Sequence, residues 1–224
     1  MTEGRTKDVS FTPALGIAGL TRGYDQAIRL LTRERTWRLA MLRQVAPASG
    51  ETILDVGCGT GSFAVMLKRA APEARIVAID PDPQVLEIAA AKSKRAGLAV
   101  EWRQGVAHDA AKVVGPVDKA VSSLVFHQVP LEVKREGIAA MFAAVRTGGG
   151  VHIADYARQR SRLMRMLFRS TVQVIDGLAD TQPNADGALE KILARHDPAA
   201  ASPTQVIRSL TGEISLFRGT KVHG

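Results

Sequence analysis

The stretch Leu54-Asp55-Val56-Gly57-Cys58-Gly59-Thr60-Gly61 has the composition of a ligand-binding turn. It follows a β-rich run and precedes a helical one, and its glycines let the main chain turn sharply and approach a ligand closely. Three ligands compete for such a turn. A dinucleotide site reads G-x-G-x-x-G and seats a pyrophosphate on the helix N-terminus, but the spacing here is G-x-G-x-G, with Asp55 two positions before the first glycine. A phosphate-cradling loop would end in Gly-Lys-Ser/Thr, which is missing. A carboxylate at position 55 repels a diphosphate and attracts a cation. S-adenosylmethionine, which carries an ammonium and a sulfonium, fits that sign.

Asp80 lies 25 positions beyond Asp55, at the end of the next strand-like run. An acid there is placed to accept both hydroxyls of a ribose. Its plainer role is an N-cap for a helix starting at Pro81. His127, three residues past Leu124, is the candidate general base, since imidazole titrates near neutrality and can take a phenol or enol proton; the competing role is simple packing in the loop. Asp155 is a weaker candidate for orienting a substrate. His108, His152, His196 and His223 share no metal-ligand spacing, so no metal is expected, and Cys58 is a small residue in a tight turn rather than a nucleophile.

Alternating elements position these residues. Strands are expected at Thr52 to Val56, Arg75 to Asp80, Leu98 to Arg103, Lys119 to Phe126 and Val151 to Tyr156. Helices are expected at Ser62 to Ala71, from Pro81 to near Gly97, and from Glu132 to Val145, the last stopped by Gly148-Gly149-Gly150. Strands and helices alternating at this length imply βαβ units and a doubly wound α/β core with a mostly parallel, seven-stranded, Rossmann-like sheet. Residues 1–50 read as a helical cap, 51–156 as the cofactor-binding core, 157–204 as a helical lid and 205–224 as closing strands. In the lid, Arg158 to Leu178 reads as one helix, with Arg158, Arg162, Arg165 and Arg169 on one side and Leu163, Met166, Leu167 and Ile175 on the other. A further helix is expected around Gly187 to Arg195.

Charge narrows the partners. The chain of 224 residues carries a formal charge of +8, with 30 Lys and Arg against 22 Asp and Glu. Residues 51–156 are neutral, with 12 of each, so the whole excess lies in the flanks. Basic flanks suit nucleic acid, yet only 4% of residues are aromatic, too few for base-stacking platforms. The flanks then read as solvated surface, or as a face toward an acidic substrate or an anionic membrane. No apolar run approaches the ~20 residues needed to span a bilayer. The opening MTEGRTKDVS is unlike a secretory signal, and a lone Cys58 makes no internal disulfide, so the cytoplasm is the expected compartment.

The segments ILDVGCGTG (Ile53–Gly61), VAIDPDP (Val77–Pro83), VSSLVFHQV (Val121–Val129) and VRTGGGVHIADY (Val145–Tyr156) together resemble class I S-adenosylmethionine-dependent methyltransferases. Within that class the chain is most similar to the ubiquinone/menaquinone C-methyltransferase-like group, as are Gly23-Tyr24-Asp25 and the ISLFRGTK ending. The resemblance implies that Asp55, Gly57 and Gly59 surround the methionine part of the cofactor. Asp80 would hold the ribose with Pro81 beside the adenine, and Gly105, Val106 and Ala107 would line the adenine face. Ser123 and Leu124 would lie under the sulfonium, and Tyr24 would close the site. It further implies a small aromatic, quinone-like or phenolic acceptor; nucleic acid is not expected, because the chain has neither an Asn/Asp-Pro-Pro-aromatic motif nor a Pro-Cys nucleophile, and monomer and homodimer both stay open. Two features depart from the family pattern: the glycine triplet has no proline, and Gly105 to Val117 lacks a Pro-aromatic-Asp-Gly loop. A non-catalytic S-adenosylmethionine-binding protein is the alternative. An NAD(P)-dependent dehydrogenase conflicts with Asp55 and would need a Tyr-x-x-x-Lys pair that the chain lacks.

Overall fold

The structure, a computed structural model, describes residues 31–222. Tyr24 and the rest of residues 1–30, and also His223, lie outside the described residues. Chain order is α1 (Glu34–Val45), β1 (Thr52–Val56), α2 (Ser62–Ala70), β2 (Arg75–Asp80), α3 (Pro83–Arg95), β3 (Glu101–Gln104), α4 (Ala110–Val114), β4 (Val117–Ser123), α5 (Leu131–Ala144) and β5 (Val145–Tyr156). Then come α6 (Arg162–Ser170), α7 (Val172–Asp176), α8 (Leu178–Ala185), α9 (Ala188–Leu193), β6 (Gln205–Ser209) and β7 (Gly212–Thr220).

The seven strands form one sheet in the order β3-β2-β1-β4-β5-β7-β6. β1 through β5 are parallel, and β7 runs antiparallel between β5 and β6. The order reverses between β1 and β4, so the loops after these two strands diverge around a crevice, which is where open parallel sheets bind ligands. β1 is central, and Ile53, Leu54, Asp55 and Val56 are all buried, as expected of a parallel strand covered on both faces. Leu54 and Val56 pack with α5 and α9 residues such as Ile138 and Leu189, whereas Ile53 packs with Trp37, Met41 and Phe63 of α1 and α2. That alternation explains how one five-residue run holds both layers.

Two expectations fail. The glycine triplet does not separate α5 from its strand: α5 ends at Ala144, β5 starts at Val145, and the triplet lies inside β5. There the register against β4 shifts between Val117 and Lys119. Gly148 has φ 79°, and a Cβ on Gly149 would stand 2.7 Å from the Arg146 carbonyl, so the glycines serve a bulge rather than a helix stop. The lid helix is also broken. It divides into α6, α7 and α8 at Thr171 and at Gly177, whose φ is 84°. α6 turns Met164 and Phe168 inward, one turn apart, and leaves Leu163 and Met166 exposed, while α7 exposes Ile175.

Candidate active site at the ends of β1, β2, β4 and β5

Gly57, Gly59 and Gly61 have φ of 69°, 50° and 71°, the left-handed region that side chains with a Cβ disfavour by about 1–2 kcal/mol. Gly57 also lies under Val125, whose side chain a Cβ would meet at 2.4 Å, while the space above Gly59 is open. Main-chain bonds from Gly57 and Cys58 to the Ile79 carbonyl fasten the turn to β2. Lys92 of α3 holds its far side through the Thr60 carbonyl at 2.6 Å and the Ser62 hydroxyl at 2.7 Å.

Asp55 is fully buried beneath this turn, and among the described residues neither carboxylate oxygen meets a close hydrogen-bond partner. Burial pushes its pKa up to about 7; the Arg38 charge opposes the shift and Asp80 adds to it. An unsatisfied buried acceptor costs roughly 1–3 kcal/mol, so a charged ligand that donates to it would gain in proportion. Asp80 has partners: Oδ2 accepts from the Gly59 amide at 2.8 Å and Oδ1 from the Asp82 amide at 3.0 Å. Burial nevertheless raises its pKa. Asp80 is not the helix cap, because Asp82 accepts from the Gln84 amide at 2.8 Å and Pro83 opens α3. Gly105 donates to the Asp80 carbonyl, which brings Gly105 and Val106 beside Asp80 and Pro81.

Across the crevice, β4 ends at Ser123 and Leu124 takes a left-handed φ of 55°. The turn that follows is held by Asp155, fully buried at the end of β5. One Asp155 oxygen accepts from the amides of Val125 at 3.1 Å and Phe126 at 2.6 Å; the other accepts from Tyr156 N and pairs with His127 Nδ1, both at 2.7 Å. The Lys134 ammonium, also fully buried, donates to the carbonyls of Phe126, Val129 and Asp180. Burial lowers its pKa to about 8 against the pull of Asp155 and Asp180. The sequence reading missed this residue, although a signal existed: Lys134 shares the inward stripe of α5 with Ile138 and Met141.

His127 is brought to the expected place but not to the expected state. Its Nε2 faces Asp176 Oδ2 of α7 at 3.3 Å, so both ring nitrogens have carboxylate partners. Burial works against the charge, yet Asp155 and then Asp176 prevail and hold the pKa at about 9. With both nitrogens engaged the ring is placed as a hydrogen-bond donor, and the base role expected from sequence would require Asp176 to leave Nε2 and the ring to lose its proton. Asp155 likewise orients the loop, not a substrate. His152 is buried in β5 with its pKa lowered to about 3 by burial, His196 stacks on Phe142, and burial pushes the Cys58 thiol up. No group of metal-holding side chains occurs among the described residues. A surface cavity of about 300 Å³, lined by Phe142, His196 and Lys221 among others, lies at the opposite end of the strands.

A methyltransferase-domain family matches residues 53–149. Demethylmenaquinone methyltransferase from Deinococcus radiodurans is 29% identical over 157 residues, 68% of this chain, and the chain spans only 63% of that protein. The Clavibacter sepedonicus protein of the same name is 26% identical over 223 residues, covering 92% of this chain and 88% of its own. Among solved structures, magnesium protoporphyrin IX methyltransferase from Synechocystis PCC 6803, crystallised with S-adenosylhomocysteine, superposes with a TM-score of 0.67 at 16% identity, over 91% of this chain and 89% of that one. The sheet order, the glycine turn over Asp55 and these matches agree: residues 53–149 match a methyltransferase domain, and the chain is similar to demethylmenaquinone methyltransferases over a larger part of its length.

Proposed function

We propose that the protein binds S-adenosylmethionine above the glycine turn and catalyses transfer of its methyl group to a small aromatic, phenolic or quinone-like acceptor. The observation that carries this reading is Asp55, a buried carboxylate that meets no close hydrogen-bond donor among the described residues, under a turn open at Gly59. Bound there, the cofactor supplies a methyl group on positively charged sulfur, open to in-line displacement. Asp55 holds the ammonium end, and Gly57 and Gly59 let the main chain close on it. Asp80 keeps lone pairs for the ribose beyond those it gives Gly59 and Asp82, with Pro81, Gly105 and Val106 around the base. Ser123 and Leu124 form the floor beneath the sulfur, and Tyr24 is assigned to the cover. Alignment of the reactants in a closed crevice supplies on the order of 7–11 kcal/mol in such reactions. The names of the quinone-modifying relatives support the acceptor class, and the scarcity of aromatic residues supports the exclusion of nucleic acid. Among the described residues no helix is long and apolar enough to cross a membrane; work in the cytoplasm, with any membrane contact peripheral, is part of the proposal.

Calorimetry with S-adenosylmethionine, S-adenosylhomocysteine and NAD tests the site, and an acceptor screen that follows S-adenosylhomocysteine release tests the reaction. Binding of the first two and turnover of a phenolic or quinone-like acceptor are expected. Preference for NAD overturns the site, and cofactor binding without turnover leaves a non-catalytic binding protein.

A further inference from the structure

His127 is tied to two carboxylates that differ in almost every respect. Asp155 is fully buried, lies 2.7 Å from Nδ1 and is fixed by three main-chain amides. Asp176 is partly exposed, lies 3.3 Å from Nε2, and sits on α7, a helix of five residues. α7 buries only Val172 and Gln173 and exposes Val174 and Ile175 beside Asp176, at 75% and 61%. It hangs between the irregular Thr171 and the left-handed Gly177. One partner is permanent, then, and the other is attached to a short, half-exposed helix. The ring itself is held in orientation by Tyr156, edge-on at 5.1 Å, whose hydroxyl is bonded to Thr211. The chain before the imidazole is pinned as well: Val125 rests on Gly57 of the glycine turn, and Lys134 takes the Phe126 carbonyl.

We propose that the Asp176 carboxylate occupies the position of the acceptor's own anion: an ionised phenol or enol oxygen displaces it from His127 Nε2, and the acceptor is held as its oxyanion. This deepens the methyltransferase reading and rests on it. An imidazolium that keeps its proton is a fixed donor rather than a base, and the phenol proton leaves to solvent as the oxyanion binds. Exchange of one anion for another preserves the local charge, so the Nε2 side of the cation is never left buried without an acceptor, which would be unfavourable. Charge on the ring oxygen also raises the nucleophilicity of that oxygen and of the ring carbon beside it, as a methyl acceptor requires.

The test uses the full chain saturated with S-adenosylhomocysteine, with 4-nitrophenol as the probe because its anion is coloured and its neutral form is not. At a mildly acid pH, where the free probe is mostly neutral, the wild-type protein is expected to bind it as the coloured anion. Asp176→Ala removes the competing carboxylate and should tighten binding about tenfold, with Asp176→Asn in between; His127→Gln should lose the coloured bound form. Unchanged or weaker binding in Asp176→Ala overturns the proposal, as does the absence of any bound anion in both wild type and Asp176→Ala. Calorimetric binding of S-adenosylhomocysteine, measured in parallel, separates the two readings: its retention confines such a failure to this inference, whereas its loss in the wild-type protein removes the methyltransferase site itself.

Discussion

Asp55 and Asp155 end neighbouring parts of the same sheet, both fully buried, and they are treated in opposite ways. Around Asp155, the protein supplies every partner: three amides, an imidazolium and, behind the same loop, the Lys134 ammonium. Around Asp55 the described residues supply no close hydrogen bond, only the more distant pull of Arg38 and the Ala64 amide. A buried carboxylate is stabilised only by partners, so the contrast separates scaffold from site. The β4–β5 end is a finished structure, and the β1–β2 end leaves its carboxylate for the cationic ligand of the proposed function.

The largest effect should come from breaking the finished side. Asp155→Ala strands the His127 cation and the amides of Val125 and Phe126, and losing one partner of such a buried pair costs about 3–5 kcal/mol. Urea denaturation should therefore show a large fall in stability, and a fall under about 1 kcal/mol would mean that Asp155 is not the hub of the loop. Asp55→Asn should behave in the reverse sense. It removes a charge that the empty protein accommodates poorly, so stability at pH 8 should rise, while affinity for S-adenosylmethionine falls roughly 10–100-fold, about 1.4–3 kcal/mol. Equal cofactor affinity in the variant would erase the contrast.

The same contrast governs what could be read from the sequence. The glycine turn and Asp55 were legible because a strand, turn and helix in succession place them locally, and no distant segment is needed. The sheet was legible for a related reason, since Ile53, Leu54 and Val56 are apolar on both faces of β1. Lys134 and Asp176 were not, because each gains its role from chain far away: Lys134 from the Asp180 carbonyl 46 residues on, and Asp176 from His127. His127 was legible as a residue of the β4 loop, but its protonation was not, since that depends on two carboxylates from other elements. The lid failed through backbone geometry, as the arginine spacing gave no hint of the break at Thr171.

Acidity can sharpen the comparison further. Asp55 has its pKa raised to about 7, so its stabilising contribution is complete below the ordinary carboxylate range and fades as pH climbs through 7. His127, raised to about 9, contributes fully below pH ~6.5 and loses that contribution as pH rises through 9. Lys134, lowered to about 8, acts in the other direction, destabilising below 8 and relieved as pH rises toward 10.5. Denaturation at a series of pH values should show Asp55→Asn flattening the lower window and His127→Gln the upper one. Saturating S-adenosylmethionine should remove the Asp55 contribution alone; if it alters the His127 window instead, the ligand belongs to the other end.

The two regions touch at the glycine turn. Gly57 and Gly59 have left-handed backbone, so alanine at either costs about 1–2 kcal/mol. Only Gly57 bears on the finished side, because its added methyl would meet Val125 at 2.4 Å, and overpacking of that kind adds about 1–3 kcal/mol. A methyl on Gly59 meets no protein atom within 4 Å; it enters the space assigned to the cofactor. Gly57→Ala should thus be the less stable of the two by denaturation, and Gly59→Ala the one whose stability is no longer raised by added S-adenosylmethionine. If both variants respond alike to the ligand, the opening above Gly59 is not where it binds.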